Sequence, residues 1–271
     1  MDRISVGRVS SLLRASAPIF IVMAAYVGTL PLPASAQIWD NLDGHAGALA
    51  PANLEQERPP APFDVTGTWY IDSEWRFLPL PKLLPEAQRL YDMARQAAAE
   101  GRAFNDVTGQ CWPPGVPIVM TRVWPIHMIQ LPTSIVMISN FENQVRWVFM
   151  DGRSHTDPDI YAPSYNGESM GRWEGDTLVI DTRNFAPKNH YIDGVPISGD
   201  LHITERVRII NDGEGLEIVY TMTDPANWEG EWVSTKRYKR EHKVDFLEVH
   251  CLPDLNKGIL GTSEEYSTLS E

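Results

Sequence analysis

Two stretches of alternating residues, each doubled back through a short turn, restrict this chain more than anything else in it. Leu201–Ile210 and Leu216–Thr223 flank Asn211-Asp212-Gly213, and Gly171-Arg172-Trp173 leads through Glu174-Gly175-Asp176 into Thr177-Leu178-Val179-Ile180-Asp181-Thr182. Strand side chains alternate between faces, so a period of two broken by Gly, Asn and Asp is the mark of a hairpin. Met128–Leu131, Ile135–Asn140 and Val145–Met150 read as a meander with Glu142-Asn143 turning between the last two, and Trp232–Lys239 with Phe246–Cys251 as a final pair. Phe63 to Ile71 opens the domain. Short strands separated by turns, with no alternating helices, predict an all-β domain over 63–252: an antiparallel sandwich or barrel of about 8–10 strands. One accessory helix is expected from Leu84 to Gly101. Pro85 suits its first turn, Leu84, Ala87, Leu90, Tyr91 and Ala94 recur at helical spacing, and Gly101 suits its end.

The ends read differently. Arg3, Arg8 and Arg14 precede an apolar run from Ile19 to Leu30, and Ala34-Ser35-Ala36 has the form of a signal-peptidase site, so residues 1–36 are expected to be a signal peptide. The apolar run is interrupted by Gly28 and followed by Pro31, too short for a span of about 20 residues. Residues 37–62, rich in Pro and Ala, are expected as an extended arm, and 253–271 as a tail. Processing removes three Arg and one Asp, leaving 20 basic and 35 acidic residues and a net charge of −15. Such a chain lacks the basic footprint of nucleic-acid or anionic-membrane binding. The expectation is an exported protein, periplasmic or secreted, with no stable membrane insertion after cleavage. Cys111 and Cys251 suit one disulfide in that compartment, with two buried free thiols or a reactive cysteine as alternatives. Nothing in the chain specifies an oligomeric state.

A face count singles out one carboxylate. In Leu201-His202-Ile203-Thr204-Glu205-Arg206-Val207-Arg208-Ile209 the odd positions are apolar except Glu205, so Glu205 faces the interior of a barrel. A carboxylate there must be paired or functional. Leu216, Ile218, Tyr220 and Met222 form the apolar face of the next strand, which brings Tyr220 toward Glu205. The structural reading is a buried pair of Glu205 with Arg146 or Arg153; the functional one is a ligand-binding or catalytic acid.

The histidines His127, His155, His190, His202 and His250 show no metal-ligand spacing, and neither a phosphate-binding nor a dinucleotide motif is present. No metal or cofactor is therefore expected. His202 falls on the polar face. His127 lies in an apolar run as a core histidine or a lumen group, and His155 follows Asp151-Gly152-Arg153 at a rim or as a turn cap. Tyr165 and Asn166 stand in a polar loop. Ser169 lacks the context of a nucleophile elbow, which excludes a serine hydrolase.

Gln130-Leu131-Pro132, Arg146 with Asp151-Gly152-Arg153-x-His155, the run Gly167-Glu168-Ser169-x-Gly171-Arg172-Trp173-Glu174-Gly175-Asp176-Thr177-Leu178-Val179, Thr204-Glu205-Arg206, Asp224-Pro225 and Glu248-x-x-Cys251 occur in this order. Together they resemble a family of secreted, mostly uncharacterised bacterial proteins with a G-x-W-E-G-D-T-L-V signature, which look like lipocalin or calycin-type β-barrels. Gly67-Thr68-Trp69 is similar to the Gly-x-Trp that opens the first lipocalin strand, where the Trp plugs the barrel floor. Asn140, where the family favours an acid, and Leu252-Pro253-Asp254 after Cys251 depart from the pattern.

Nine Trp with many Tyr and Phe suit a cavity for a lipophilic, aromatic small molecule. The expected function is cofactor-free acid–base chemistry, lyase or isomerase, for example retro-aldol deformylation of a lignin-derived phenolic dimer. Glu205 would be the acid or base, with Tyr220 or His127 as partner. Arg146 or Arg153 would stabilise an oxyanion, and His155, Tyr165 and Asn166 would contact substrate. The alternative is a non-catalytic periplasmic binding protein for the same ligand class, with its carboxylate fully salt-bridged. A structural envelope protein, with its lumen packed by side chains, is a third.

Overall fold

The turns are built where the chain can reach positive φ. Glu142 and Asn143 both adopt it, at 60° and 49°, and Gly175 does so at 62° as the first residue of a two-residue hairpin turn, the backbone that matches strand twist. In the computed structural model, which describes residues 46–58, 60–101, 111–160, 162–188 and 190–251, these turns join strands of a closed barrel. The strands are β1 (Gly67–Ile71), β2 (Lys82–Leu83), β3 (Ile126–Gln130), β4 (Ser134–Ser139), β5 (Val145–Phe149), β6 (Glu168–Glu174), β7 (Thr177–Arg183), β8 (Tyr191–Ile192), β9 (Val195–Pro196), β10 (His202–Ile210), β11 (Gly215–Thr223), β12 (Trp228–Glu229) and β13 (Trp232–Glu241). Barrel order is β1-β13-β11-β10-β7-β6-β5-β4-β3, closing back on β1, while β2–β12 and β8–β9 form small separate pairs. The all-β barrel expected from the pattern is thus the fold.

Two features depart from a simple meander. β5 and β6 are parallel, paired at Val148↔Ser169 and Phe149↔Met170, because the described residues of the intervening segment, 151–160 and 162–167, run outside the barrel before β6 begins. The stretch Phe246–Cys251, expected as a strand beside Trp232–Lys239, is not one. β13 instead pairs with β11 and β1, so both its edges are taken. The later segment is held outside by Asn143, whose amide donates to Val249 C=O at 2.8 Å and accepts from Val249 N–H at 3.0 Å. Its end is tied by the Cys111–Cys251 disulfide, Cα–Cα 5.4 Å.

Helix α1 (Pro51–Leu54) is a single turn in the arm, whose Asn53 amide donates to Ala46 and Gly47 carbonyls. The arm is therefore partly ordered rather than simply extended. Helix α2 (Pro85–Ala99) begins at the expected proline, and Gly101 follows it at φ 70°. No helix among the described residues is long and apolar enough to cross a membrane. The expected signal peptide over 1–36 and the tail over 253–271 lie outside the described residues.

The interior is plugged at both ends. At the end where β1 begins, Trp69 is wholly buried, its indole N–H donates to Val65 C=O at 2.9 Å, and the Arg240 guanidinium lies 4.2 Å over its ring. At the other end the 3₁₀ turn Ile118–Met120, Phe77, Trp228 and Trp232 are all buried. Phe77 meets Tyr220 and Trp232 edge-to-face at 5.2 and 6.3 Å.

Candidate functional site

The odd residues of β10 point inward, as the alternation requires: Ile203 and Glu205 have no exposed surface and Val207 almost none. Glu205 is opposite Ile180 on β7 and Tyr220 on β11. Its charge is met by Arg146, an inward residue of β5, whose two terminal nitrogens donate one to each carboxylate oxygen, Nη1 to Oε1 at 3.1 Å and Nη2 to Oε2. The rest of the guanidinium is also used: Nε donates to Ser169 Oγ at 3.1 Å and Nη2 to Thr182 Oγ1 at 2.9 Å, while these hydroxyls lie 3.0 Å apart. Burial disfavours the Arg146 charge, but the Glu205 carboxylate more than offsets this and holds its pKa above the ordinary value. This is a bidentate buried pair with four of the five guanidinium N–H donors placed.

Tyr220 and Tyr238 complete the cluster. Their hydroxyls are 3.4 Å apart, and that of Tyr238 donates to Met120 C=O at 2.9 Å. Burial pushes both phenols well up, so they stay protonated. Sequence reasoning misses Tyr238 and Thr182, and considers Ser169 only as a nucleophile it rejects. Tyr238 is the fourth inward residue in the alternation Trp232, Ser234, Lys236, Tyr238, a signal of the same kind that found Glu205. Lys236 is the other surprise of that strand. Its ammonium is buried, donating to Arg76 C=O at 2.6 Å and Ser234 Oγ at 3.0 Å, and burial lowers its pKa.

The remaining candidates lie outside the lumen. His127 faces outward from β3, with Nδ1 2.9 Å from Thr68 Oγ1, Nε2 3.2 Å from Asn140 Oδ1, and its ring edge-on to Phe246. It shares no space with Glu205, because the inward positions of β3 are Ile126, Met128 and Gln130. Arg153 pairs with Asp151 at 2.5 Å and lies over Phe149 at 4.1 Å, so it is not the partner of Glu205. The Tyr165 hydroxyl donates to Lys188 C=O and the Asn166 amide to Val145 C=O, both at 3.0 Å. Both fasten loops.

His155 sits at the centre of an outer cluster. Its Nε2 is 2.8 Å from Asp181 and its Nδ1 3.2 Å from Glu168. Asp181 also holds His202 at 2.5 Å and Arg183 at 3.1 Å, and Glu168 accepts from the Thr156 N–H and hydroxyl and from Asn184. The returning segment 151–167 is thereby clamped onto β6 and β7. Burial opposes the His155 charge, but the two carboxylates more than offset it and raise its pKa to about 9, while Asp181 is held far below the usual carboxylate range.

The sign of the pH effect follows. A histidine raised from its unfolded value stabilises fully below about 6.5 and loses that contribution as pH climbs through about 9. Asp181 acts oppositely, its share fading only in acid. Between pH 6.5 and 9.5 the protein should lose roughly 2 kcal/mol of stability that a His155→Ala variant never had. Urea midpoints of the two proteins at both pH values would check this; equal pH dependence would refute the clamp.

A cleft opens at the end of the barrel where β1 begins. It has a volume of about 220 Å³ and is lined by Gln130, Leu131 and Pro132 of the β3–β4 turn, Met150 and Gly152 beyond β5, and Gly171, Arg172 and Trp173 of β6. Trp173 also meets Phe63 edge-to-face, with ring centroids 4.9 Å apart. A Cβ at Gly171 would run into Met150 Sδ and Val148 Cγ1, so only glycine allows this approach of β5 and β6. Among the described residues, no group of three His, Cys, Asp or Glu is placed to hold a metal ion.

No protein-family model and no curated protein matches this chain. Its site must therefore be read from its own chemistry: an enclosed ion pair at the centre, a histidine clamp outside, and an apolar cleft at one mouth.

Proposed function

We propose that this is an exported β-barrel that binds a small apolar or aromatic molecule in the mouth cleft without transforming it. The observation that carries the reading is the cleft itself, where Leu131, Pro132, Met150 and Trp173 converge beside the polar Gln130 and Arg172, the usual make-up of a small-molecule site. Its volume of about 220 Å³ lies below the ~300–1,000 Å³ of drug-sized sites, which favours a single ring over a lignin-type dimer. The central carboxylate supports binding rather than catalysis. Glu205 is enclosed and both its oxygens are held by Arg146, whereas a working acid or base must reach a substrate proton. A signal-like N-terminus, the disulfide and the resemblance to a secreted family support export.

Cofactor-free lyase or isomerase chemistry on a phenolic dimer is the competing reading, and one experiment separates the two. The purified protein is incubated with single-ring aromatics and with phenolic dimers, followed by thermal unfolding and by mass spectrometry of the mixture. Binding predicts a rise in melting temperature with single-ring probes, worth about 2.7 kcal/mol at a hundred times Kd, a change in tryptophan fluorescence that Trp173→Phe removes, and unchanged probe. Leu131→Trp, which fills the cleft, should abolish both signals. Turnover lost in Glu205→Gln would overturn the proposal in favour of the enzyme.

A further inference from the structure

Gln130 stands at the mouth cleft with half of its amide already used. It is the last residue of β3, faces inward beside Ile135 and is only 8% exposed. Its backbone N–H donates to Thr66 Oγ1, and its side-chain Oε1 accepts from Val65 N–H, both at 3.1 Å. A backbone N–H must be met by the amide oxygen, so this bond fixes which way the NH2 points. Among the described residues that NH2 has no partner, and unlike the amide NH2 of Asn140 it is not shut away from solvent. Gln130 lines the cleft, so the space its NH2 opens to is the cleft.

The other polar side chains on the wall, Arg172 and Trp173, are donors only. Alternation along β6 turns Ser169, Gly171 and Trp173 inward and Arg172 outward. There the Nε and Nη2 of Arg172 donate to Glu174 Oε1 at 3.0 and 2.6 Å. Its charge is thus answered on the outer face. The indole N–H of Trp173 has no partner among the described residues and is not enclosed. The cleft therefore offers uncharged donors beside an apolar wall, and its one side-chain oxygen, Gln130 Oε1, is spent on Val65.

We infer that the cleft selects a single-ring aromatic molecule bearing an uncharged carbonyl group, an aryl ketone or aldehyde. Its oxygen accepts from the Gln130 NH2 while the ring lies against Leu131, Pro132 and Trp173. This rests on the reading of the cleft as a binding site and names its ligand class. In the free protein solvent reaches the NH2. A ligand with an acceptor replaces that water, whereas a hydrocarbon of the same shape displaces it and leaves the donor bare, the costlier outcome. A carboxylate must shed its hydration without gaining a free cation, because Arg172 is held by Glu174 and Arg153 by Asp151.

The test uses three probes on the full mature protein: acetophenone, α-methylstyrene, which has the same shape with CH2 in place of the oxygen, and benzoate. Affinities come from calorimetric titration, and the side-chain NH2 resonances of Gln130 are followed by NMR, assigned by their loss in Gln130→Glu. Acetophenone should bind about fivefold more tightly than α-methylstyrene, the effect of one hydrogen bond, and should shift the Gln130 resonances where α-methylstyrene does not. Gln130→Glu keeps an oxygen for Val65 N–H and should erase the preference for acetophenone. Benzoate should bind more weakly than acetophenone; the reverse order would overturn the inference, since a cation would then be the group that selects. If acetophenone and α-methylstyrene bind equally and the Gln130 resonances stay in place, the carbonyl inference fails while the cleft remains a site for apolar molecules. If none of the three binds, the cleft reading itself fails.

Discussion

Replacing Arg146 with methionine is expected to cost the barrel about 3–5 kcal/mol, the typical effect of leaving one member of a buried pair without its partner. Glu205 has no exposed surface, and its neighbours across the ladders are Ile180 and Tyr220. The two hydroxyls nearest the pair, of Ser169 and Thr182, are bound to the guanidinium rather than to the carboxylate, so the variant offers Glu205 no ready substitute. The double variant Arg146→Met/Glu205→Leu should recover most of the loss, because it removes the stranded charge and refills the space with apolar volume. Urea denaturation of wild type, both single variants and the double variant gives the coupling directly. A double variant as unstable as the sum of the singles would show that the pair is not the unit described, and a harmless Arg146→Met would show that Glu205 needs no counter-charge.

Removing the Cys111–Cys251 disulfide is the second large effect. The bond joins residues separated by 140 positions, and a cross-link over so long a loop restricts the unfolded chain by about 3–5 kcal/mol in the chain-entropy account. Much of the tie acts on the last described stretch, whose other fastenings are the Asn143–Val249 pair and the Phe246–His127 ring contact. Cys111→Ala/Cys251→Ala should therefore lower the urea midpoint strongly while leaving the barrel's far-ultraviolet dichroism close to native. Equal midpoints for oxidised and variant protein would refute the stabilising role.

The parts of this fold legible in the sequence are those governed by local alternation. Glu205 and Tyr220 were placed on facing inner positions by a period of two, and the structure pairs them directly. The likeness of Gly67-Thr68-Trp69 to a lipocalin first strand implies a Trp at the barrel floor, and Trp69 is fully buried. What failed depended on chain path. The segment ending at Cys251 has the β-branched and aromatic composition of a strand, but no free edge is available beside β13. The parallel seam between β5 and β6 is set by where residues 151–167 run, which no local period encodes. Arg146 and Arg153 were equal candidates for Glu205 until β5 turned Arg146 inward and left its neighbour Val145 nearly half exposed, against hydrophobic expectation. His127 faced the wrong way for catalysis because one residue of register decides its side. The cleft was invisible in the sequence, since it arises from two strands parting and from a glycine that shows only as an absent side chain.

Strand β1 sets a timetable for the whole molecule. It is the first barrel strand to leave the ribosome, yet its partner on one side, β13, pairs through Thr68↔Glu241, 173 positions later. At a synthesis rate of about 5–20 residues per second, roughly 10–30 s separate the two strands. Throughout that interval Trp69 and the apolar face of the nascent meander have no closed interior to enter. Closure must wait for the last strand, so until then the chain is an open sheet whose apolar face has nothing to pack against.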